Sequence, residues 1–221
     1  MAEYTLYGFW RSSCTARVRI AMNVKGIAFN TVSVDLLKGE HLSALHKQHN
    51  PSASVPLLVH STPEGPVSIG QSMAAMEYLV EAHPGVGGAL LPPASDVRGR
   101  AIVRVLANII ACDNQPVTNV RIMKRVSALG GDAQEWNRDL MYDSLVAYEA
   151  TSAGSAGKYS YGDTVTIADA CLVPAVWNAR RFNVDMSKFP TITRVMASLE
   201  KLDAVTKAHP SAQPDTPPEF R

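Results

Sequence analysis

Cysteine is scarce in this chain. There are three in 221 residues, Cys14, Cys112 and Cys171, and no Cys-x-x-Cys pair. An odd count at wide spacing excludes a disulfide framework and points to a reducing compartment, the cytoplasm. Net charge is nearly missing too: 21 Lys and Arg against 20 Asp and Glu leave +1. No field is available to hold nucleic acid or an anionic membrane surface. No apolar run is long enough to span a bilayer. The N-terminus lacks a basic region followed by an apolar core and cleavage site, so secretion is not expected. Among the six histidines, His41, His46 and His49 fall close together, but no acid or thiol completes a set at ligand spacing, and no metal site is expected. Cys112 and Cys171 lie in apolar helical stretches and read as small buried hydrophobes.

What remains is apolar: 46% of residues are hydrophobic and only 19% charged, enough for one large or two small cores. The first half alternates strand and helix patterns. A strand near Tyr4–Phe9 leads into a helix over about Ala16–Lys25, closed by Gly26. Phe29–Val34 alternates like a half-buried strand. A helix over about His41–His49 stops before Asn50-Pro51. Strands follow at Pro56–His60 and Val67–Ile69, joined by a long surface hairpin loop over residues 61–66, and a helix starts near Ser72. The order is β-α-β-α-β-β-α.

The Gly- and Pro-rich stretch His83–Ser95 is a linker signal. Beyond it the pattern is helical. Asp96 caps a long helix whose apolar face carries Ile102, Val103, Leu106, Ile109 and Ile110, and Pro116 is expected to kink or break it. Further helices fall near Trp136–Ala150 and Thr191–Leu202. Thr166-Ile167-Ala168-Asp169 is a capping box opening another. The expected division is therefore 1–84, a linker over 85–95, and a helical domain over 96–221, with a Pro-rich irregular tail.

The most informative segment is Ser12-Ser13-Cys14, at the junction of the first strand and first helix. A helix start presents free N–H groups and partial positive charge, and both stabilise an anion. Arg17 and Arg19 lie just inside the helix and read as reinforcing that preference. A plain helix cap with no catalytic job is the alternative reading of this junction.

A thioredoxin-like α/β domain, a Pro/Gly linker and an all-α domain resemble the architecture of cytosolic glutathione transferases. Within that family the chain resembles the zeta class. The likeness is carried by Ser12-Ser13-Cys14 before Arg17-Val18-Arg19-Ile20-Ala21, then Asn50-Pro51, Val55-Pro56, Gln71-Ser72 and Gln115-Pro116. It continues through Ala168-Asp169, Asn178-Ala179-Arg180-Arg181-Phe182 and the tail Gln213-Pro214-Asp215-Thr216-Pro217. The resemblance implies a cytoplasmic homodimer with glutathione as cofactor. The implied activity is cis–trans isomerisation of maleylacetoacetate to fumarylacetoacetate in phenylalanine and tyrosine breakdown, with dehalogenation of small α-haloacids as a side activity.

Residue by residue, the resemblance makes Ser12 the donor to the glutathione sulfur, with Ser13 and Cys14 lining the same pocket. Val55, before a cis Pro56, is to pair with the glutathione backbone, and Gln71 and Ser72 are to hold its γ-glutamyl end. His41 stands where a glutathione-contacting Gln is common. Gln115 and Asn119 are implied on the glutathione side, and Arg181, Arg17 and Arg121 on the side of a small dicarboxylate or α-haloacid substrate. Two departures from the family pattern are Ala16, where many members carry a large aromatic and which is expected to open the pocket wall, and Val120-Arg121. A general detoxifying transferase and a non-catalytic interaction module of the same fold are the competing readings.

Overall fold

The computed structural model describes residues 3–221, which group into two compact units, residues 3–89 with 203–221, and residues 90–202. The first unit holds a four-stranded sheet in the order β2-β1-β3-β4, formed by β1 (Tyr4–Gly8), β2 (Phe29–Ser33), β3 (Leu57–Thr62) and β4 (Gly65–Gly70). β1 runs parallel to β2 and antiparallel to β3, and β3 pairs antiparallel with β4. Helices α1 (Ser13–Lys25), α2 (Ala44–His49) and α3 (Ser72–Ala82) complete the expected order, the thioredoxin-like layout. Leu6, Ile20, Met22, Leu57, Leu58, Met76 and Leu79 are wholly buried and form the core of this unit. Each such side chain contributes about 1.5–3 kcal/mol by leaving water.

Local chemistry moves several boundaries. Ser43 splits the second predicted helix: Glu40–Leu42 is a 3-10 turn, and the Ser43 hydroxyl accepts from His46 N to start α2. The predicted long hairpin loop is a two-residue turn, because pairing runs on to Thr62 and Gly65. Gly65, the first residue of β4 and the partner of Thr62, adopts φ 117° just after the turn. β2 is an edge strand, and after Phe29 every residue of it is exposed. That explains why its alternation did not mark a buried face.

α1 is buried on all sides from Thr15 to Met22. α3 packs on it, and so does the short α10 (Asp203–Thr206). The tail after Leu202 therefore groups with the first unit, not with the helical one as the boundary 96–221 supposed. Its tie is polar as well as apolar: Asn23 Nδ2 donates to Ala204 O at 2.9 Å. At the start of β1, Tyr4 bonds His83 Nε2 at 2.6 Å. Burial pushes the Tyr4 phenol up to about 12.

The second unit is all helical: α4 (Val97–Asn108), α5 (Gln115–Thr118), α6 (Val120–Ala128), α7 (Ala133–Ser152), α8 (Ile167–Arg181) and α9 (Pro190–Leu199). Asp96 caps α4 through Gly99 N at 2.8 Å. Val103, Leu106, Ala107 and Ile110 are its buried stripe. Pro116 does not break the helix outright. A π-helical segment over Ile109–Asn114 joins α4 to α5, and its wider turn relieves the clash a proline makes with the carbonyl four residues back. Cys171 is buried, as expected, but Cys112 lies on the outer side of the π-helical segment and is exposed.

The capping box forms at α8. Asp169, fully buried, accepts from Thr166 N at 2.8 Å and from Ser160 N at 2.9 Å. Burial pushes its carboxyl up from the ordinary range, while these hydrogen bonds oppose that rise. Replacing Asp169 with Ala leaves two buried N–H groups unpaired, each costing about 1–3 kcal/mol. Urea unfolding should therefore show Asp169→Ala destabilised by roughly 2–5 kcal/mol, well beyond the effect of Asp139→Ala at an exposed position.

Candidate active site

Sheet register brings three loops to one edge. Tyr7 pairs with Leu57, and Leu57 with Gly70. The end of β1, the start of β3 and the end of β4 are therefore neighbours. The segments beyond them are Phe9–Ser12, Val55-Pro56 and Gln71-Ser72. β2, parallel to β1, ends at the same edge, where Val34 N donates to Gly8 O at 2.7 Å. Residues far apart in sequence converge because strand order alone requires it.

The first loop is short because Gly8 lets α1 approach. A Cβ there would sit 2.3 Å from Thr15 Cγ2, so any side chain would push the helix start away. Ser12 N closes the turn on Phe9 O at 3.0 Å. The Ser12 hydroxyl accepts from Thr15 N at 3.2 Å. That cap uses a lone pair and leaves the O–H proton to donate outward. The N–H groups of Ser13 and Cys14 take no backbone partner among the described residues. A hydroxyl donor, two amides and a helix start thus surround one point, an arrangement suited to an anion such as a thiolate. Cys14 is half-buried beside that point.

The second loop is built by residues whose part was not legible as such. Val55-Pro56 is cis, as expected. The preceding carbonyl, Ser54 O, is held by Asn50 Nδ2 at 2.8 Å and His46 Nε2 at 2.9 Å. A carbonyl only accepts, so His46 carries its proton on Nε2. Asn50 O also accepts from Ala53 N at 2.9 Å, where Ala53 adopts φ 49°. His46, considered as a metal ligand and set aside, is a backbone clamp. Val55 itself makes no backbone hydrogen bond among the described residues, so its N–H and C=O are open to an extended ligand. An Asn just after a helix-ending pattern was the only sequence signal for this clamp.

The third loop turns sharply at Gln71, whose φ is 68°. A left-handed non-glycine residue is held only where its surroundings require it, and such residues concentrate at functional sites. Ser72, 5% exposed, opens α3 and accepts from Arg17 Nη1 at 3.2 Å. Arg17 was expected on the substrate side. It is 2% exposed and sits beneath Ser72, because α1 is covered on every face. Arg19, read as adding charge at the junction, is likewise buried, with Nη1 on Trp10 O at 3.2 Å. Ala16 is 1% exposed and lies in the packed interior of the first unit, so its small side chain does not open an exposed wall. His41, on the 3-10 turn beyond β2, is half-buried.

The remaining expected residues belong to the second unit. Gln115 is half-buried at the start of α5. Asn119 is occupied as the cap of α6, accepting from Ile122 N at 3.1 Å and donating to Pro116 O at 2.9 Å. Arg121 is exposed on α6. At the end of α8, Arg180 and Arg181 separate as a helix requires. Arg180 pairs with Glu200, whereas Arg181 is exposed with its guanidinium 4.6 Å from the Phe182 ring centre.

The family models agree with this division. The model for the glutathione S-transferase N-terminal domain matches residues 2–81, and that for the C-terminal domain matches 130–203. Maleylacetoacetate isomerase of Aspergillus fumigatus is 54% identical over 99% of this chain and 95% of its own length. Among solved structures, the glutathione-bound maleylacetoacetate isomerase of Anaeromyxobacter dehalogenans superposes with a TM-score of 0.88 at 39% identity, covering 98% of this chain and all of that one. A bacterial zeta-class maleylpyruvate isomerase gives 0.88 at 41% identity, over 96% of this chain and 100% of its own. The chain belongs to the glutathione S-transferase family. Within it, the chain groups with the zeta-class isomerases.

The three loops offer different polar groups at this end of the sheet: the backbone of Val55, the Ser72 hydroxyl at the start of α3, and the hydroxyl and amides of the Ser12 junction. Loss of one hydrogen bond to a charged group is worth about 1.5–3 kcal/mol. Calorimetry should therefore find glutathione binding weakened roughly ten- to a hundredfold in Ser72→Ala. Unchanged affinity would remove Ser72 from the site.

Proposed function

We propose that this chain is a glutathione-dependent cis–trans isomerase that converts maleylacetoacetate to fumarylacetoacetate. The observation that carries the reading is the convergence of Ser12, Val55 and Ser72 at one sheet edge, each with open polar groups matched to a different part of glutathione. The identity of more than half its residues with a maleylacetoacetate isomerase supports the choice of substrate. Glutathione, when bound, supplies a sulfur nucleophile that adds reversibly to the cis double bond and leaves once the bond has turned.

The protein's own part is to place and ionise that sulfur. Ser12 has its hydroxyl held by the Thr15 cap and donates a hydrogen bond to the sulfur while keeping its proton, which favours the thiolate. The N–H groups of Ser13 and Cys14 add to the same field. Cys14 lies beside this point as a pocket wall and is not the nucleophile. No histidine or carboxylate is bonded to it among the described residues, so nothing stands by to take its proton. Arg181 grips a substrate carboxylate through its two-pronged guanidinium, and stacking over Phe182 limits the directions the fork can take.

The zeta-class resemblance implies a cytoplasmic homodimer working in phenylalanine and tyrosine breakdown. We extend that setting to this chain on the zeta-class resemblance, together with dehalogenation of α-haloacids at the same sulfur site. Among the described residues no helix is long and apolar enough to cross a membrane. A general detoxifying transferase would use the same first unit but would have no need of an acid-reading arginine.

Two measurements test this reading. In glutathione-dependent isomerisation of maleylacetone, Ser12→Ala should lower kcat by about a hundredfold, as loss of a preorganised donor does, and Cys14→Ala by less than about threefold. The reverse order would make the protein thiol the reacting group. Arg181→Ala should raise KM for maleylacetone about ten- to a hundredfold while leaving glutathione affinity and turnover of an uncharged electrophile intact, and Arg181→Lys should recover part of the loss. Equal damage to charged and uncharged substrates would favour the general transferase.

A further inference from the structure

The tail motif Gln213-Pro214-Asp215-Thr216-Pro217 is far from Ser12 in sequence and has no role in the site described above. The structure brings it against the back of the Ser12 loop. Asp215 Oδ2 accepts from Trp10 N at 3.0 Å and from Ser33 Oγ at 2.9 Å. Its carboxylate also faces Arg19 and favours the charged form of that guanidinium, although burial lowers Arg19 to about 10. Arg19 in turn donates Nη1 to Trp10 O at 3.2 Å and Nη2 to Phe9 O at 3.5 Å. The Trp10 residue is therefore gripped at both polar ends, its N–H by the tail and its C=O by α1. Phe9 O, on which Ser12 N closes the turn, is gripped by the same guanidinium.

The tail is built to hold this position. Gln213 is buried and donates Nε2 to Lys207 O at 2.8 Å and His209 O at 2.9 Å. Thr216 N returns to Gln213 O at 3.1 Å. Arg221 Nε donates to Thr216 O at 3.0 Å. Around the rim, Trp10 and Phe220 lie 5.2 Å apart, and the Arg11 guanidinium covers both rings. A carboxylate on so braced a strut is well placed to fix a loop and poorly placed to meet a ligand. One oxygen, Oδ1, is buried without a hydrogen-bond partner among the described residues.

We propose that Asp215 is a positioning residue for Ser12: by holding Trp10 N–H against the pull of Arg19 on Trp10 O, it sets the turn that aims the Ser12 hydroxyl at the glutathione sulfur. This rests on Ser12 being the sulfur donor, and the test separates the two. The readout is the ultraviolet absorbance of enzyme-bound glutathione thiolate against pH, with thermal melting to confirm folding. Asp215→Ala should raise the thiol midpoint by about one pH unit, a tenfold change in ionisation constant. Its affinity for glutathione at low pH, where the thiol is protonated, should stay within about twofold. kcat should fall with KM for maleylacetone unchanged. Ser12→Ala should raise the midpoint at least as far, and adding Asp215→Ala to it should bring no further rise, because the effect passes through Ser12.

An unmoved midpoint in Asp215→Ala beside a raised one in Ser12→Ala overturns the positioning role and leaves Ser12 in place. The same shift from Asp215→Ala with or without Ser12 also overturns it, since the tail then acts only on the fold. No shift in Ser12→Ala removes the donor itself and the proposal with it. Should Asp215→Ala fail to fold, Asp215→Asn carries the test. Its amide keeps one acceptor but turns an NH2 toward Arg19, so a smaller rise in the midpoint is expected and none overturns the proposal.

Discussion

A helix buried on every face must find partners for any charge it carries, and α1 carries two arginines. Removing a guanidinium from water costs several kcal/mol unless hydrogen bonds and opposite charge replace the lost hydration. Both arginines find acceptors in the loops around the candidate site. Arg17 bonds Ser72 at the head of α3, and Arg19 bonds the Phe9 and Trp10 carbonyls before Ser12. The stability of the first unit and the geometry of its site are thus one requirement. A loop that drifted would strand a buried cation, so the cation keeps the loop still.

This is also why the arginines were misread from sequence. Two positive charges just inside a helix, next to small hydroxyls, look like an anion site. That inference assumes the helix has a solvent face. From Thr15 to Met22 α1 has none, because α3 and the tail both cover it, and the tail's return is a tertiary fact with no local signature. Other features were legible because they are local. Gly26 after a helical run, Ser and Asp before one, and Thr166 three residues before Asp169 all act through neighbouring backbone groups. The element order and the three site loops were likewise readable, since strand spacing and the Val55-Pro56 and Gln71-Ser72 pairs sit at element ends. Length and register were less so. The 61–66 loop shrank to a two-residue turn because cross-strand pairing, which a single strand's composition does not report, ran to its limit.

The apolar helical run before Cys112 suggests a buried thiol, and Pro116 suggests a kinked or broken helix. A π-helical stretch precedes the proline. Cys112 lies two residues after the buried Ile110, about 200° round a helix, and so faces away from the buried stripe. The apolar composition of the run pointed inward, while its periodicity pointed outward.

Ser12 shows how little chemistry the protein must supply once its geometry is settled. One hydroxyl serves the cap with a lone pair and keeps its proton for the role proposed for it, so the two do not conflict. Neither job requires an unusual side chain, which is why the motif taken alone is indistinguishable from an ordinary helix start. What separates the two is the setting. Gly8 lets the helix begin close to the strand, and Asn50 and His46 fix the carbonyl before Val55. Gln71 holds a left-handed turn that a free chain would avoid. The structure spends conformational freedom at three loops that meet at one sheet edge, and a plain capping serine would give no reason for the other two to be held there.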